Sequence, residues 1–117
     1  MADLRLKRAY DEPDPSDGFR VLVDRLWPRG LSKEDAHLDL WFKDIAPSAQ
    51  ARKDFNHDPA RFAEFTGRYR AELDDNPAVE DALALLREHE RVTFVYGAKD
   101  PKVNHVVVLR DYLLEQG

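Results

Sequence analysis

The stretch VTFVYGA at residues 92–98 decides the fold. It is short, nearly continuously apolar and rich in β-branched and aromatic residues, which is typical of a strand that is covered on both faces. A second apolar run, VLV at residues 21–23, forms the centre of a second predicted strand at residues 19–26. We therefore expect both segments to be buried central strands that are adjacent and parallel.

The segments around these two strands predict the order strand, strand, short third segment, three helices, strand, helix. Residues 4–7 (LRLK) alternate apolar and charged side chains, as a half-buried strand does. Residues 38–45 fit both a strand and a helix, and we interpret them as a short strand or extended segment. Such an order predicts an α/β fold with a small, mostly parallel sheet and helices on both faces, and we expect a single domain over residues 1–117.

Four polar residues mark the predicted helix starts, because their side chains accept hydrogen bonds from free amides there. They are Ser48, Asp58, Asn76 and Asp100, and the last three each precede a proline. The side chains expected to face the core from these helices are Phe62, Phe65, Tyr69 and Leu73, then Val79, Leu83 and Leu86, and finally Val103, Val106, Val107, Leu109, Leu113 and Leu114.

The composition excludes several classes of protein. The chain has no cysteine, which excludes a disulfide scaffold, a thiolate zinc site and cysteine catalysis, and which fits a cytoplasmic protein. The four histidines show no metal-ligand spacing, so we predict no metal and no cofactor. The N-terminus lacks the apolar stretch of a signal peptide, and no apolar run is long enough to span a membrane.

Six motifs along the chain are distinctive: RVLVDRLWPRG at residues 20–30, SK at 32–33, W-x-K at 41–43, APS at 46–48, RYRAEL at 68–73, and AKD-x-x-x-NH at 98–105. Together they resemble the YeaO-like family, a bacterial and archaeal domain of unknown function. The resemblance covers essentially the whole chain. It implies a small α/β domain with no established activity.

Two clusters of polar residues follow the predicted central strands. The first holds Arg25, Trp27 and Arg29, and the second holds Lys99, Asp100, Asn104 and His105. Parallel strands end at the same edge of a sheet, where α/β proteins bind ligands. Guanidinium groups hold carboxylates and phosphates through paired hydrogen bonds. We therefore predict a cleft for a small anionic ligand that bears a phosphate or resembles a nucleotide.

A structural interpretation of the same residues stays open. In it Arg25 pairs with a carboxylate such as Asp24 or Asp44, Trp27 fills the core and Lys99 is solvated, while Asp100 is only a helix cap and His105 is a surface or packed residue. His57 beside Asp58 suggests a general base with its orienting partner, but a loop histidine next to a helix cap is the commoner arrangement.

Two other functions compete with ligand binding. A nucleic-acid-binding module would use Arg25, Arg29, Lys33 and Lys99 as a patch, although a net charge of −5 disfavours it. A protein-interaction domain would expose the region of Trp27 and Trp41. No residue is assigned to catalysis, and the substrate, reaction and oligomeric state stay open.

Overall fold

A computed structural model of the chain describes residues 3–116, in which four strands form one parallel sheet. The strands are β1 (Asp3–Arg8), β2 (Phe19–Leu22), β3 (Leu40–Trp41) and β4 (Arg91–Tyr96), and their order across the sheet is β1-β4-β2-β3. The strand β4 is therefore central and pairs in parallel with both β1 and β2. This confirms the α/β fold and the adjacent, parallel central strands. The strand β2 is shorter than predicted because the chain turns away after Val23.

The described residues also form five α-helices: α1 (Lys33–Ala36), α2 (Ala49–Phe55), α3 (Phe62–Asp74), α4 (Ala78–Glu88) and α5 (His105–Gln116). The predicted starts at Ser48 and Asn76 are confirmed, whereas Asp58 caps a short 3-10 turn, Pro59–Arg61, that leads into α3. The Ser48 hydroxyl accepts from the amide of Ala51, Asp58 from that of Ala60, and Asn76 from that of Ala78. Between residues 3 and 116, no helix has the length and apolar character that a membrane crossing requires.

The start of α5 differs from the prediction. The Asp100 carboxylate accepts from the amides of Lys102 and Val103, but the turn that it closes is irregular rather than helical. The helix begins at His105, because the Asn104 side chain accepts from the amides of Val106 and Val107 at 2.9 and 3.1 Å. Two capping side chains thus follow each other, and the second one starts the helix.

Leu114 is wrongly predicted as a core position, and Phe62, Val103 and Val107 are only half-buried. Leu114 is 47% exposed, because it lies one position past the buried Leu113 and projects away from the sheet. Phe62 is half-buried, since it occupies the first turn of α3 at the margin of the core. Phe65, Tyr69 and the remaining positions of the α3 and α4 stripes are buried as predicted.

The helices cover the two faces of the sheet unequally. Val21 and Val23 of the β2 region belong to one core cluster with α2, α3, α4 and α5. Leu22, between them, belongs to a second cluster with Trp27 and Trp41. The chain runs across the sheet in one direction from β2 to β3 and in the other from β3 to β4. Right-handed crossovers in opposite directions lie on opposite faces, which places α1 on one face and α2–α4 on the other.

Candidate functional site

A cleft of about 740 Å³ lies at the carboxyl ends of β2 and β4. These neighbouring strands send the chain to opposite faces of the sheet: the residues after β2 pack on one face, and α5 packs on the other. A crevice opens where two adjacent strands diverge in this way, and it is the usual ligand site of α/β proteins. The walls come from the turn at residues 24–29, from α2 and the turn after it, and from the start of α5.

Five of the seven predicted site residues line this cleft. They are Arg25, Trp27, Arg29, Asn104 and His105. Lys99 and Asp100 lie outside its walls, and both are exposed. The difference arises because α5 begins at His105 rather than at Asp100, so the start of the helix faces the cleft and the Lys99 turn does not. The amides at the helix start are occupied by Asn104.

Arg25 is half-buried and is held by backbone carbonyl groups. Its Nε donates to the carbonyl of Pro47 at 3.1 Å and its Nη2 to that of Ala46 at 3.4 Å. Within residues 3–116, Arg25 forms no ion pair with Asp24, with Asp44 or with any other acid. The carbonyl groups fix the direction of the guanidinium without neutralising its charge.

Trp27 stabilises the turn that carries the two arginines. Its indole Nε1 donates to the carbonyl of Leu31 at 2.6 Å, and its ring meets the edge of Trp41 at 5.3 Å. Trp41 in turn donates to the carbonyl of Asp24 at 2.8 Å. On the other side of the turn, the Tyr10 hydroxyl donates to the carbonyl of Arg29 at 2.8 Å. The turn is therefore fixed from both sides, while the Arg29 side chain stays exposed at the cleft.

The helix α2 supplies site residues that the sequence analysis missed. Ala49, Arg52, Lys53 and Asn56 have the spacing of one helix face, and this face lines the cleft. The opposite side, with Ala51 and Phe55, packs in the core. The i, i+3, i+4 and i+7 spacing is visible in the sequence, but only the fold shows that this face meets the sheet edge.

Positive charge predominates in the cleft. Its walls hold Arg25, Arg29, Arg52 and Lys53, and Asp24 is the one carboxylate among the described lining residues. In the part of the chain that the structure describes, none of these four cations forms an ion pair. The cluster stands on a protein with a net charge of −5, so the positive potential is local.

The carboxylate of Asp24 and the imidazole of His105 are in contact at the cleft. The Asp24 Oδ2 accepts from the amide of Gly97 at 2.8 Å. The His105 Nε2 lies 3.1 Å from the Asp24 Oδ1 and 3.0 Å from the carbonyl oxygen of Val23. The Oδ1 is buried and receives no well-directed hydrogen bond from the described residues, so the Nε2–H points mainly at Val23. Both neighbours of Nε2 only accept, and this nitrogen therefore carries a proton.

His57 lies on the lip of the cleft beside Asn56. Both residues have left-handed backbone conformations, with φ values of 54° and 48°. The side chain of His57 is exposed, and that of Asp58 accepts from the amide of Ala60 at 3.0 Å as a cap. Over residues 3–116 the structure shows no ion pair between His57 and Asp58, and no cluster of three acidic or histidine side chains that could hold a metal ion.

Comparison with known proteins identifies relatives over nearly the full chain. A family model described as "Inactive DUF488-N3 subclade" matches residues 3–117. The uncharacterized protein YeaO of Escherichia coli is 42% identical over 111 residues, which cover 95% of this chain and 96% of YeaO. The uncharacterized protein Rv3073c of Mycobacterium tuberculosis is 42% identical over 110 residues, 94% of this chain and 92% of that protein. No solved structure matches the chain. The chain therefore belongs to the DUF488-N3 family, in the subclade described as inactive, and is YeaO-like as its motifs predict.

Proposed function

We propose that the cleft binds a small anionic ligand that carries a phosphate group. The observation that supports this most directly is a set of four cations around one concave site, none of which forms an ion pair with residues 3–116: Arg25, Arg29, Arg52 and Lys53. Like charges repel when they converge, and a half-buried guanidinium loses hydration. An anion between them relieves both costs. A nucleotide-like ligand also suits a cleft of about 740 Å³, which is within the range of small-molecule sites.

The hydrogen bonds of Arg25 support the same proposal. Two of its N–H groups are used by the carbonyls of Ala46 and Pro47, which leaves its remaining donors for a ligand. A guanidinium that is fixed in advance loses little further side-chain entropy when it binds a phosphate. The description of the subclade as inactive favours binding over catalysis, and the absence of cysteine fits a ligand of the reducing cytoplasm, which we propose as the compartment.

Calorimetric titration with inorganic phosphate and with ADP tests the proposal. We expect Arg29→Ala and Arg52→Ala each to weaken binding by about fivefold or more, because each removes a charged hydrogen-bond donor. Arg87→Ala is the matched control, since Arg87 is exposed on α4 and lies outside the cleft.

The Lys99→Ala variant separates the cleft from the neighbouring turn. Because Lys99 lies outside the walls, its removal should leave the phosphate affinity close to that of the parent. Equal affinities in the parent, Arg29→Ala and Arg52→Ala proteins would contradict anion binding in the cleft. A loss confined to Lys99→Ala would move the site to the turn around Lys99 and Asp100.

A further inference from the structure

The contact between Asp24 and His105 indicates which class of phosphate compound the cleft binds. An inference about that class rests on the proposed function. We propose that His105, positioned by Asp24, takes up a proton at Nδ1 when a phosphate dianion binds. The cleft would then favour phosphate monoesters, which carry a dianionic group near neutral pH, over phosphodiesters, which carry a single negative charge.

The geometry assigns the two ring nitrogens of His105 different roles. The Nε2 faces two acceptors, the Asp24 carboxylate and the Val23 carbonyl, at 3.1 and 3.0 Å. It keeps its proton in either charge state of the ring. Among the described residues, the Nδ1 has no hydrogen-bond partner, and it is not one of the buried unpartnered atoms. It is therefore not fully buried, and it is the ring nitrogen that is free to take up a proton.

Asp24 is held rigidly enough to position the ring. Its Oδ2 is bound to the Gly97 amide, and a Cβ at Gly97 would lie only 3.1 Å from that oxygen. The glycine thus allows the close approach of the β4 end to the carboxylate. The Oδ1 lacks a good donor, so a positive charge on the imidazole compensates a buried negative oxygen.

The other ionisable groups around His105 come from three elements, and most of them are cations. The turn after β2 contributes Arg25 and Arg29. The helix α2 and the turn after it contribute Arg52, Lys53 and His57. From α3, the Tyr69 ring lies 6.2 Å from the imidazole, and Glu72 is engaged with Ser48. Burial raises the pKa of Tyr69 well above its ordinary value, so its hydroxyl stays neutral.

A bound dianion changes the electrostatic surroundings of His105. It neutralises the neighbouring cations and attracts a further positive charge, which Asp24 also favours. A proton from solvent then adds to the Nδ1 lone pair, no other bond forms or breaks, and the new Nδ1–H donates to a phosphate oxygen. Imidazole is the side chain suited to this role, because it ordinarily changes charge near neutral pH.

Titration calorimetry with methyl phosphate and dimethyl phosphate tests the inference, because the two probes are close in size and differ in charge. At about pH 7.5, measurements in two buffers of different ionisation enthalpy report the protons taken up. We expect uptake of a fraction of a proton with methyl phosphate and none with dimethyl phosphate. In His105→Gln the uptake should disappear, and methyl phosphate affinity should fall by about tenfold.

A matched control and a direct readout complete the experiment. His57→Gln removes the other cleft histidine and should leave the proton uptake unchanged. Nitrogen NMR of the imidazole should show the proton on Nε2 in the free protein and on both nitrogens in the methyl phosphate complex. In the methyl phosphate complex of Asp24→Asn, the fraction of His105 that is protonated on both nitrogens should fall. A folded variant with this change would show that Asp24 acts on the imidazole and not merely on the stability of the fold.

The outcomes distinguish this inference from the proposed function. If methyl phosphate binds through the arginines without proton uptake, or if the uptake survives His105→Gln, the inference is wrong and the anion site stands. If uptake is lost in His57→Gln instead, the proton goes to the lip of the cleft and Asp24 plays no part. If neither probe binds, both the inference and the proposed function fail.

Discussion

Gly18 and Gly67 show how strongly the effect of one methyl group depends on its surroundings. Gly18 has a φ of 67°, and a Cβ there would overlap the backbone oxygen of Arg91. Gly18→Ala should therefore lower the free energy of unfolding by about 1–3 kcal/mol. Gly67 lies inside α3, and a Cβ there would meet nothing within 4 Å beyond the backbone of its own helix, so Gly67→Ala should raise that energy by about 0.5–1 kcal/mol. Urea unfolding of both variants measures the difference, and a change of the same sign in both would contradict it.

The ring of Phe65 is the residue-scale test of the core. It is 3% exposed and stacks on Phe55 at a centroid distance of 4.5 Å. Phe65→Ala should cost about 3–5 kcal/mol of unfolding free energy, because it removes a buried ring and leaves a cavity. Phe62→Ala should cost clearly less, since that ring is half-buried. Equal losses in urea midpoints would show that the margin of the core is packed as tightly as its centre.

At the element scale, Ser48 connects the cap of α2 to α3. Its hydroxyl accepts from the Ala51 amide and donates to the Glu72 carboxylate at 2.6 Å. Ser48→Ala should cost about 0.5–2 kcal/mol of stability, and it should also weaken phosphate binding because α2 carries Arg52 and Lys53. Ser32→Ala is the matched control, since Ser32 caps α1 outside the cleft walls and accepts from the Asp35 amide. Loss of phosphate affinity in the control as well would show that the effect is not specific to α2.

The elements also show which parts of the molecule are predictable from sequence. Apolar runs at residues 21–23 and 94–96 are buried between two layers, so the central strands follow from local composition. The start of α5 does not, because Asp100 and Asn104 are both good caps and tertiary packing selects the second. The one-turn helix α1 is too short to leave a periodic signal.

The candidate site was predictable only where strand ends define it. Arg25 and Arg29 lie in the turn after a central strand, and the edge rule for parallel sheets predicts that they meet the end of the sheet where the cleft lies. Arg52 and Lys53 have the pattern of a solvated helix face, which is the common role of such residues. Their place at the cleft depends on the crossover from β3 to β4, which brings α2 to the sheet edge, and no local pattern contains that information.

At the scale of the whole molecule, buried charge sets the response of the fold to acid. Burial raises the pKa of Asp17, but hydrogen bonds from the Asp14 amide, Lys7 and Arg20 outweigh it, and the pKa lies below its ordinary value. A carboxylate whose pKa is lower in the folded state stabilises the fold above the unfolded-state pKa of about 3.9 and loses that effect as pH falls below it.

The urea midpoint should consequently be nearly constant from about pH 7 to pH 5 and fall steeply towards pH 3. Asp17→Asn leaves the Arg20 guanidinium, which is 5% exposed, without its ion-pair partner. That variant should be less stable than the parent near pH 7 and should lose less on acidification. A parent and a variant with parallel pH profiles would show that other carboxylates dominate the acid response.

The distribution of charge over the molecule separates a small-ligand site from a nucleic-acid surface. Residues 72–90 hold seven acidic residues against the single base Arg87, and Lys33 and Lys99 lie outside the cleft that gathers the other cations. A duplex presents phosphates in a long row and needs a matching row of cations, whereas a concave cluster accommodates one phosphate group.

We therefore expect a duplex of about 20 base pairs to bind weakly, with a Kd above about 100 μM at about 0.15 M salt. Fluorescence anisotropy over a range of salt concentrations measures this, with ADP binding as the reference. A micromolar Kd whose logarithm changes steeply with that of the salt concentration would instead favour a nucleic-acid-binding module.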